Sequence, residues 1–237
     1  MMTPTVIDIY HGDRVLGERF GGGYGGLTGF KALAAAGFKG VILKASQTSD
    51  DPAYFGRRQA LTATTLRQGA YHFNTNEPVT TQLDRFFRCA DPDQNTRMCL
   101  DWEPQTGDHG RMLPPRQQMQ LSAALDFLHS GSQRLGRRMT VYGGSLIKQL
   151  IIGASQEQRD ELALYPLWLS EYGLTAKMID FNGHPLPWKT WDLWQRDADG
   201  LGPDYHNVPG IMTKNIDQSV YARTDEEFQA TWAGTPI

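Results

Sequence analysis

Short apolar runs alternate with amphipathic stretches along most of the chain. The runs are rich in Val, Ile, Leu and aromatic residues, and turn residues follow them, which is typical of buried β-strands. The stretches between the early runs contain good helix formers with apolar residues at helical spacing, as Leu121, Leu125 and Leu128 illustrate. The pattern predicts strands over residues 6–9, 40–46, 69–73, 98–102, 139–142, 167–171, 192–194 and 215–220.

Helices are predicted between these strands over residues 30–36, 54–66, 80–89, 116–130 and 145–152. Alternating strands and helices indicate a parallel sheet, and about eight strands in one unit favour a closed, TIM-like α/β barrel. The last three strands have weaker helical linkers, and the connection 173–190 is rich in Pro, Gly and Trp. Since no linker interrupts the pattern, we expect a single domain over residues 1–237. An open, doubly wound sheet is the alternative.

Composition narrows the class of protein. The chain has 237 residues, 40% of them hydrophobic and 21% charged, and a net charge of −3, which disfavours a nucleic-acid binder. No apolar run reaches the roughly 20 residues of a membrane span. The amino terminus has neither the basic nor the apolar region of a secretory signal, so we expect synthesis in the cytoplasm without a signal peptide.

Cys89 and Cys99 lack zinc-site spacing and are expected to be free thiols, and we expect neither a metal nor a cofactor.

Acidic residues gather where the predicted strands end, which is where α/β barrels carry their chemistry. The clearest motif is Asp101-Trp102-Glu103 after an apolar run. Because strand side chains alternate, both carboxylates point the same way with Cα atoms about 6.5–7 Å apart. Mutual repulsion should raise one pKa and leave the other low, as glycosidic cleavage by an acid and an anion requires. Asp8 and Asp217, on the first and last strands, are expected to converge on this pair.

Aromatic residues at the strand ends suggest a sugar-binding groove, because pyranose rings stack on Trp and Tyr. Tyr71, Tyr142, Tyr172 and Trp194 occupy such positions, whereas Trp168 and Trp191 fit the core better. Residues 21–26 formally match G-x-G-x-x-G, but they do not directly follow a strand. We therefore expect a flexible loop over the barrel mouth there, with no bound dinucleotide.

Read in order, these motifs resemble the Chalaropsis-type lysozymes, glycoside hydrolase family 25. The resemblance extends over nearly the whole chain and rests on residues 6–11, 37–46, 51–52 with Tyr54 and Arg58, 69–73, 100–103, 141–143, 167–169 with Tyr172, 194–195 and 216–217. It implies a modified (β/α)5(β)3 barrel with three degenerate last units. It also implies a retaining muramidase that cleaves the β-1,4 bond between N-acetylmuramic acid and N-acetylglucosamine in peptidoglycan.

The resemblance also implies roles for individual residues. Glu103 would be the general acid/base, and Asp101 would either stabilise an intermediate formed by the substrate's acetamido group or act as the nucleophile. Asp8 and Asp217 would hold the substrate and tune the other two carboxylates. The sugar subsite would be shaped by Tyr71, Tyr142, Tyr172, Trp194, Gln195 and Lys44.

Two other functions fit the same residues. A non-catalytic barrel that binds glycans would need the aromatic residues but not four clustered carboxylates. A metal-dependent hydrolase could use the four carboxylates as oxygen ligands. The muramidase hypothesis implies peptidoglycan as the partner and action at the cell wall after release or non-classical secretion, without membrane insertion. It leaves open a delivery or immunity partner, and no separate cell-wall-binding domain is predicted.

Overall fold

Eight strands close into one barrel in a computed structural model that describes residues 3–18, 25–107, 110–198, 200–203 and 207–237. Each strand pairs with its neighbours in chain order, and the last pairs with the first. The closed α/β barrel predicted from the alternation is therefore confirmed. The strands are β1 (Thr5–Ile9), β2 (Gly40–Ser46), β3 (Arg67–Phe73), β4 (Arg97–Asp101), β5 (Thr140–Gly143), β6 (Leu167–Ser170), β7 (Leu193–Asp197) and β8 (Asp217–Tyr221).

Helices cover the outside of the barrel and one of its ends. Those in the described ranges are α1 (Leu27–Ala35), α2 (Tyr54–Leu61), α3 (Val79–Ala90), α4 (Leu121–Leu135), α5 (Ser145–Leu150), α6 (Gln156–Leu162) and α7 (Asp225–Thr231). The helix predicted from residue 116 begins later, because Pro114 and Pro115 lead into a short 3-10 turn and Gln118 is extended. The sequence pattern did not predict α6 or α7.

The direction of the last strand differs from the prediction of a parallel sheet. Strands β1 to β7 pair in parallel, whereas β8 runs antiparallel to both β7 and β1. The first residue of β8 therefore lies at the end of the barrel where the other strands finish. This reversal brings Asp217 directly opposite Asp8 in the register of β1 and β8.

Side chains alternate between the barrel interior and the helical layer, as the period of two requires. Val6 of β1 and Ile42 of β2 belong to the interior cluster, whereas Ile7 and Val41 pack in the outer one. Phe228 and Trp232, from α7 and its carboxyl end, join the interior cluster beside Tyr221. The Trp232 Nε1 donates to the Gln68 carbonyl at 2.7 Å, so this segment closes the end of the barrel where the parallel strands begin.

The two cysteines and the lengths of the helices were also subjects of prediction. Cys89 and Cys99 are free thiols, and the Cys89 thiol donates to the Ala45 carbonyl. Burial raises the pKa of Cys89 to about 11 and that of Cys99 to about 12, so both stay protonated near neutral pH. Among the helices that the structure describes, none combines the length and apolar character needed to cross a membrane.

Candidate active site

Four carboxylates meet at the end of the barrel where the parallel strands finish. Asp8 lies on β1, Asp101 is the last residue of β4, and Asp217 is the first residue of β8. Glu103 follows β4 by two residues and is half-buried. Asp217 and Glu103 lie close enough to Asp8, and also to Asp101, to raise the pKa of these two carboxyl groups. The convergence expected from the sequence is thus present.

Burial dominates the electrostatics of this cluster. It raises the pKa of Asp8 well above its usual range, and the charge of Asp217 raises it further. The pKa of Asp101 is also raised, first by burial and then by Glu103, while Lys44 acts in the opposite direction. Oδ1 of Asp101 is buried and has no hydrogen-bond partner among the described residues. Burial and mutual repulsion therefore make Asp8 and Asp101 easier to protonate than exposed aspartates.

Gln195 and Tyr142 form a hydrogen-bonded layer under the carboxylates. The Gln195 Nε2 donates to both carboxylate oxygens of Asp8, at 3.1 and 3.2 Å, and to Oδ2 of Asp217 at 3.3 Å. The Tyr142 hydroxyl donates to Oε1 of the same amide at 2.7 Å. Both residues were predicted to shape the sugar subsite, and the structure places them beside the carboxylates with their side chains buried.

Asn74 is a site residue that the sequence interpretation missed. It is fully buried just beyond β3, and its Oδ1 accepts the Glu103 main-chain N–H at 3.0 Å. The Asn74 main-chain N–H donates to the Asp101 carbonyl at 3.0 Å, so one residue fixes the backbone on both sides of Trp102. A polar residue directly after a barrel strand was the available signal.

Other predicted sugar contacts lie at the mouth. Tyr71 is half-buried and lines a cavity of about 270 Å³ together with Asp8, Tyr10, Asp13 and Asp217. Tyr172, just beyond β6, is 41% exposed, and burial of part of the ring raises its pKa to about 12. The Lys44 Nζ donates to Gln47 at 2.8 Å and lies 5.1 Å from the centre of the Phe73 ring. Burial lowers the pKa of Lys44, which Asp101 partly offsets.

Trp194 was expected to line the groove, but its side chain points away from the barrel interior. It alternates with Gln195 on β7, so it belongs to the outer cluster and is only 7% exposed. The Trp194 indole N–H donates to the Glu171 carbonyl, and its ring packs 5.7 Å from that of Trp191. His72 likewise points away from the interior. It is buried between Ser46 and Gln82 and stacks on Phe127.

One wall of the mouth is the segment after β1. The buried Arg57 guanidinium donates to the carbonyls of Tyr10 and Asp13 and pairs with Glu18. His11 contacts the buried Asp51 carboxylate through Nδ1 at 2.8 Å. The segment therefore has a fixed path up to residue 18. Positions 21–24 of the glycine-rich motif lie outside the described residues.

The metal-dependent alternative needs a group of ligands in suitable geometry. In the described part of the chain, no group of three or more His, Cys, Asp or Glu side chains could hold a metal ion. Gln195 donates to Asp8 and Asp217, and the charge of Lys44 acts on Asp101.

Comparisons with known proteins agree with the resemblance drawn from the sequence. The family profile of the glycosyl hydrolases family 25 matches residues 22–204, whereas no curated protein sequence matches the chain. Similar solved structures include the bacterial lysozyme from Streptomyces coelicolor, with 20% identity, a TM-score of 0.73 and 97% of each chain covered. A muramidase from Acremonium alcalophilum has 19% identity and a TM-score of 0.70, with 96% of this chain and 97% of that chain covered. A family 25 lysozyme from Aspergillus fumigatus has 20% identity and a TM-score of 0.70, with 98% of this chain and 100% of that chain covered.

The profile covers well over half of the sequence, and the structures share the barrel over almost the entire chain. The four carboxylates occupy the end of that barrel where the parallel strands finish. This chain belongs to the glycosyl hydrolases family 25 and is a glycoside hydrolase.

Proposed function

We propose that this glycoside hydrolase is a muramidase that cleaves the β-1,4 bond between N-acetylmuramic acid and N-acetylglucosamine in peptidoglycan. The observation that carries the proposal is the cluster of Asp8, Asp101, Glu103 and Asp217 at one end of a family 25 barrel. Similar structures described as lysozymes and muramidases support the choice of substrate. The substrate places the action of the enzyme at the cell wall.

Glu103 acts as the general acid and then as the general base. It lies beyond the end of β4 and is half-buried, so its carboxyl group can reach a bound glycan while its main chain is held by Asn74. In the first step Glu103 donates its proton to the glycosidic oxygen as the bond to the anomeric carbon breaks. In the second step the Glu103 carboxylate removes a proton from the attacking water.

Asp101 orients the acetamido group of the N-acetylmuramic acid residue. The acetamido oxygen attacks the anomeric carbon, and the Asp101 carboxyl group accepts the acetamido N–H as positive charge develops on that group. Its Oδ1 has no hydrogen-bond donor among the described residues, so the carboxyl retains acceptor capacity. Asp101 is only 7% exposed, which suits this role better than direct attack on the sugar. Two successive inversions give overall retention.

Asp8 and Asp217 stabilise the positive charge that develops on the sugar, since anionic groups in a water-poor site act strongly on a nearby cation. Tyr71, Tyr172 and Lys44 form the protein surface against which the sugar lies. Trp194 has no contact with the substrate in this account, because its ring is in the outer layer.

Product analysis tests the bond that is cleaved. Purified protein is incubated with defined peptidoglycan, and the reduced fragments are identified by mass spectrometry. Fragments that end in reduced N-acetylmuramic acid support the proposal. Reduced N-acetylglucosamine ends would mean that a different bond is cleaved. Glycan binding without any fragments, from folded protein on several wall types, would favour the non-catalytic barrel.

The stereochemistry needs a separate measurement. Proton NMR of the first-formed product distinguishes retention from inversion before the anomers equilibrate. Retention is expected. An inverted first product would contradict the acetamido mechanism while leaving the muramidase activity intact.

A further inference from the structure

The position of Gln195 is unusual for a residue that was expected to bind sugar. Its side chain is only 1% exposed, and its amide nitrogen contacts both carboxylates of the Asp8–Asp217 pair. These two residues face each other across β1 and β8, so their charges repel at close range. A buried donor between them offsets that repulsion, because a hydrogen bond to an ionised acceptor is stronger than one between neutral groups.

The orientation of this amide determines its effect. With Nε2 towards the carboxylates, Gln195 stabilises their anionic forms, whereas Oε1 in that place would repel them. The Tyr142 hydroxyl donates to Oε1 at 2.7 Å and so favours the first orientation. The Ser170 hydroxyl is more distant, at 3.5 Å. Tyr142 is itself held by Trp168, whose ring centre lies 4.5 Å away.

We propose that Gln195, oriented by Tyr142, is a positioning residue that favours the anionic form of the Asp8–Asp217 pair beside the reacting sugar. The inference deepens the proposed muramidase function and rests on it. Neither side chain has to touch the substrate. The phenol aligns the amide, the amide supports the carboxylates, and the carboxylates stabilise the charge that develops on the sugar.

Other charged groups also face this pair, so the effect of Gln195 must be separated from theirs. The titratable groups around Asp8 and Asp217 include Asp13 after β1, Tyr71 on β3, Cys99 on β4, Asp101 and Glu103 at the end of β4, Tyr142 on β5, Tyr172 after β6 and the cation Lys214 before β8. The carboxylates among them favour proton uptake by the pair when they are ionised, whereas burial raises the pKa of the tyrosines and keeps them neutral in that pH range. Gln195 acts in the opposite direction, which lowers the pKa of Asp8.

Tyr142→Phe removes the orienting hydroxyl and retains the ring. Without it the amide oxygen loses its donor and the amide is held less firmly against the carboxylates, so the pair takes up a proton at higher pH. The acidic limb of the kcat/KM profile should move up by at most about one pH unit, which corresponds to the loss of one hydrogen bond between neutral groups. The value of kcat at low pH should fall several-fold, while KM stays within about twofold because the ring remains.

Tyr54→Phe is the matched control. Tyr54 is also buried and its hydroxyl donates to the Ala90 carbonyl at 3.0 Å, but it lies on α2, outside the barrel. Its loss costs a comparable hydrogen bond and should leave the pH profile unchanged. A second variant, Gln195→Glu, replaces the donor with a carboxyl group and should move the acidic limb further in the same direction.

The carboxyl titration provides a readout that does not depend on turnover. Carbon-13 NMR of labelled aspartates, assigned through the signal that Asp8→Asn removes, reports proton uptake by Asp8 directly. An upward shift of the Asp8 pKa in Tyr142→Phe, absent in Tyr54→Phe, supports the inference even if the wild-type enzyme leaves peptidoglycan intact. In that case only the proposed function fails. An unchanged titration in folded Tyr142→Phe, or equal shifts in both variants, overturns the inference.

Discussion

Replacing Arg57 should loosen the wall of the active-site mouth. Its guanidinium is buried and donates to Glu18 through Nε at 2.6 Å and through a terminal nitrogen at 3.2 Å. The other bonds, at 2.6 and 2.5 Å, reach the carbonyls of Tyr10 and Asp13. Arg57→Met keeps most of the aliphatic volume but removes all four hydrogen bonds. The change therefore isolates the contribution of the charged group.

The expected cost follows from burial. Removing one partner of a buried ion pair typically costs about 3–5 kcal/mol, since the other charge is left without compensation. The Glu18 side chain is 22% exposed and can be partly hydrated, so we expect the lower end, about 3 kcal/mol. Arg58→Met is the matched control from the same helix. Its partner Asp91 is 78% exposed, and surface pairs contribute at most about 1 kcal/mol.

Urea unfolding at neutral pH measures both variants. The midpoint should fall markedly for Arg57→Met and little for Arg58→Met, with similar slopes. Hydrolysis of peptidoglycan fragments should also slow in Arg57→Met, because Tyr10 and Asp13 line the cavity beside Asp8. Equal losses of free energy of unfolding in the two variants would refute the view that Arg57 anchors this wall.

Three further predictions follow from the placement of other residues. Tyr172→Ala should raise KM several-fold, because Tyr172 is 41% exposed at the mouth. Trp194→Phe should lower stability and leave KM unchanged. A raised KM in Trp194→Phe with an unchanged KM in Tyr172→Ala would contradict the proposed subsite. Burial lowers the pKa of His72 to about 4, below the unfolded value of about 6.5. Between these values the unfolded chain binds more protons than the folded protein, so stability is lost as the pH falls through that range. In thermal unfolding, His72→Gln should remove that part of the pH dependence, by at most about 3 kcal/mol, and an unaltered dependence would contradict it. Wall hydrolysis should persist in EDTA, and a loss restored by a divalent cation would favour the metal-dependent hydrolase.

The barrel could be predicted because strand pattern and helix pattern are local properties of the sequence. The direction of β8 could not, since nothing within residues 217–221 encodes it. Helices α6 and α7 were missed although both begin with a capping box, formed by Ser155 with Gln158 and by Thr224 with Glu227. These short helices lack a long amphipathic pattern, so the capping signal was the only local one.

Some residues of the candidate site could be identified from the sequence, and others could not. Asp101 and Glu103 were identified from the alternation of side chains along a strand. The same alternation places Trp194 and Gln195 on opposite faces of β7, so both could not have faced the interior. Asn74 was missed because its role depends on a contact with Glu103, 29 residues away in the chain. The local signal, a polar residue directly after a barrel strand, does not reveal which distant residue it contacts.

The central claim is that Glu103 supplies the acid and base chemistry of a muramidase. The most direct measurement compares the rate of peptidoglycan hydrolysis by wild type, Glu103→Gln and Glu171→Gln, with thermal unfolding recorded for each. Glu171 also follows a barrel strand, but it pairs with Lys148. We predict that Glu103→Gln loses about a thousandfold in rate while remaining folded, as expected for loss of a general acid/base, and that Glu171→Gln stays active. A folded Glu103→Gln variant with near wild-type hydrolysis would contradict the account.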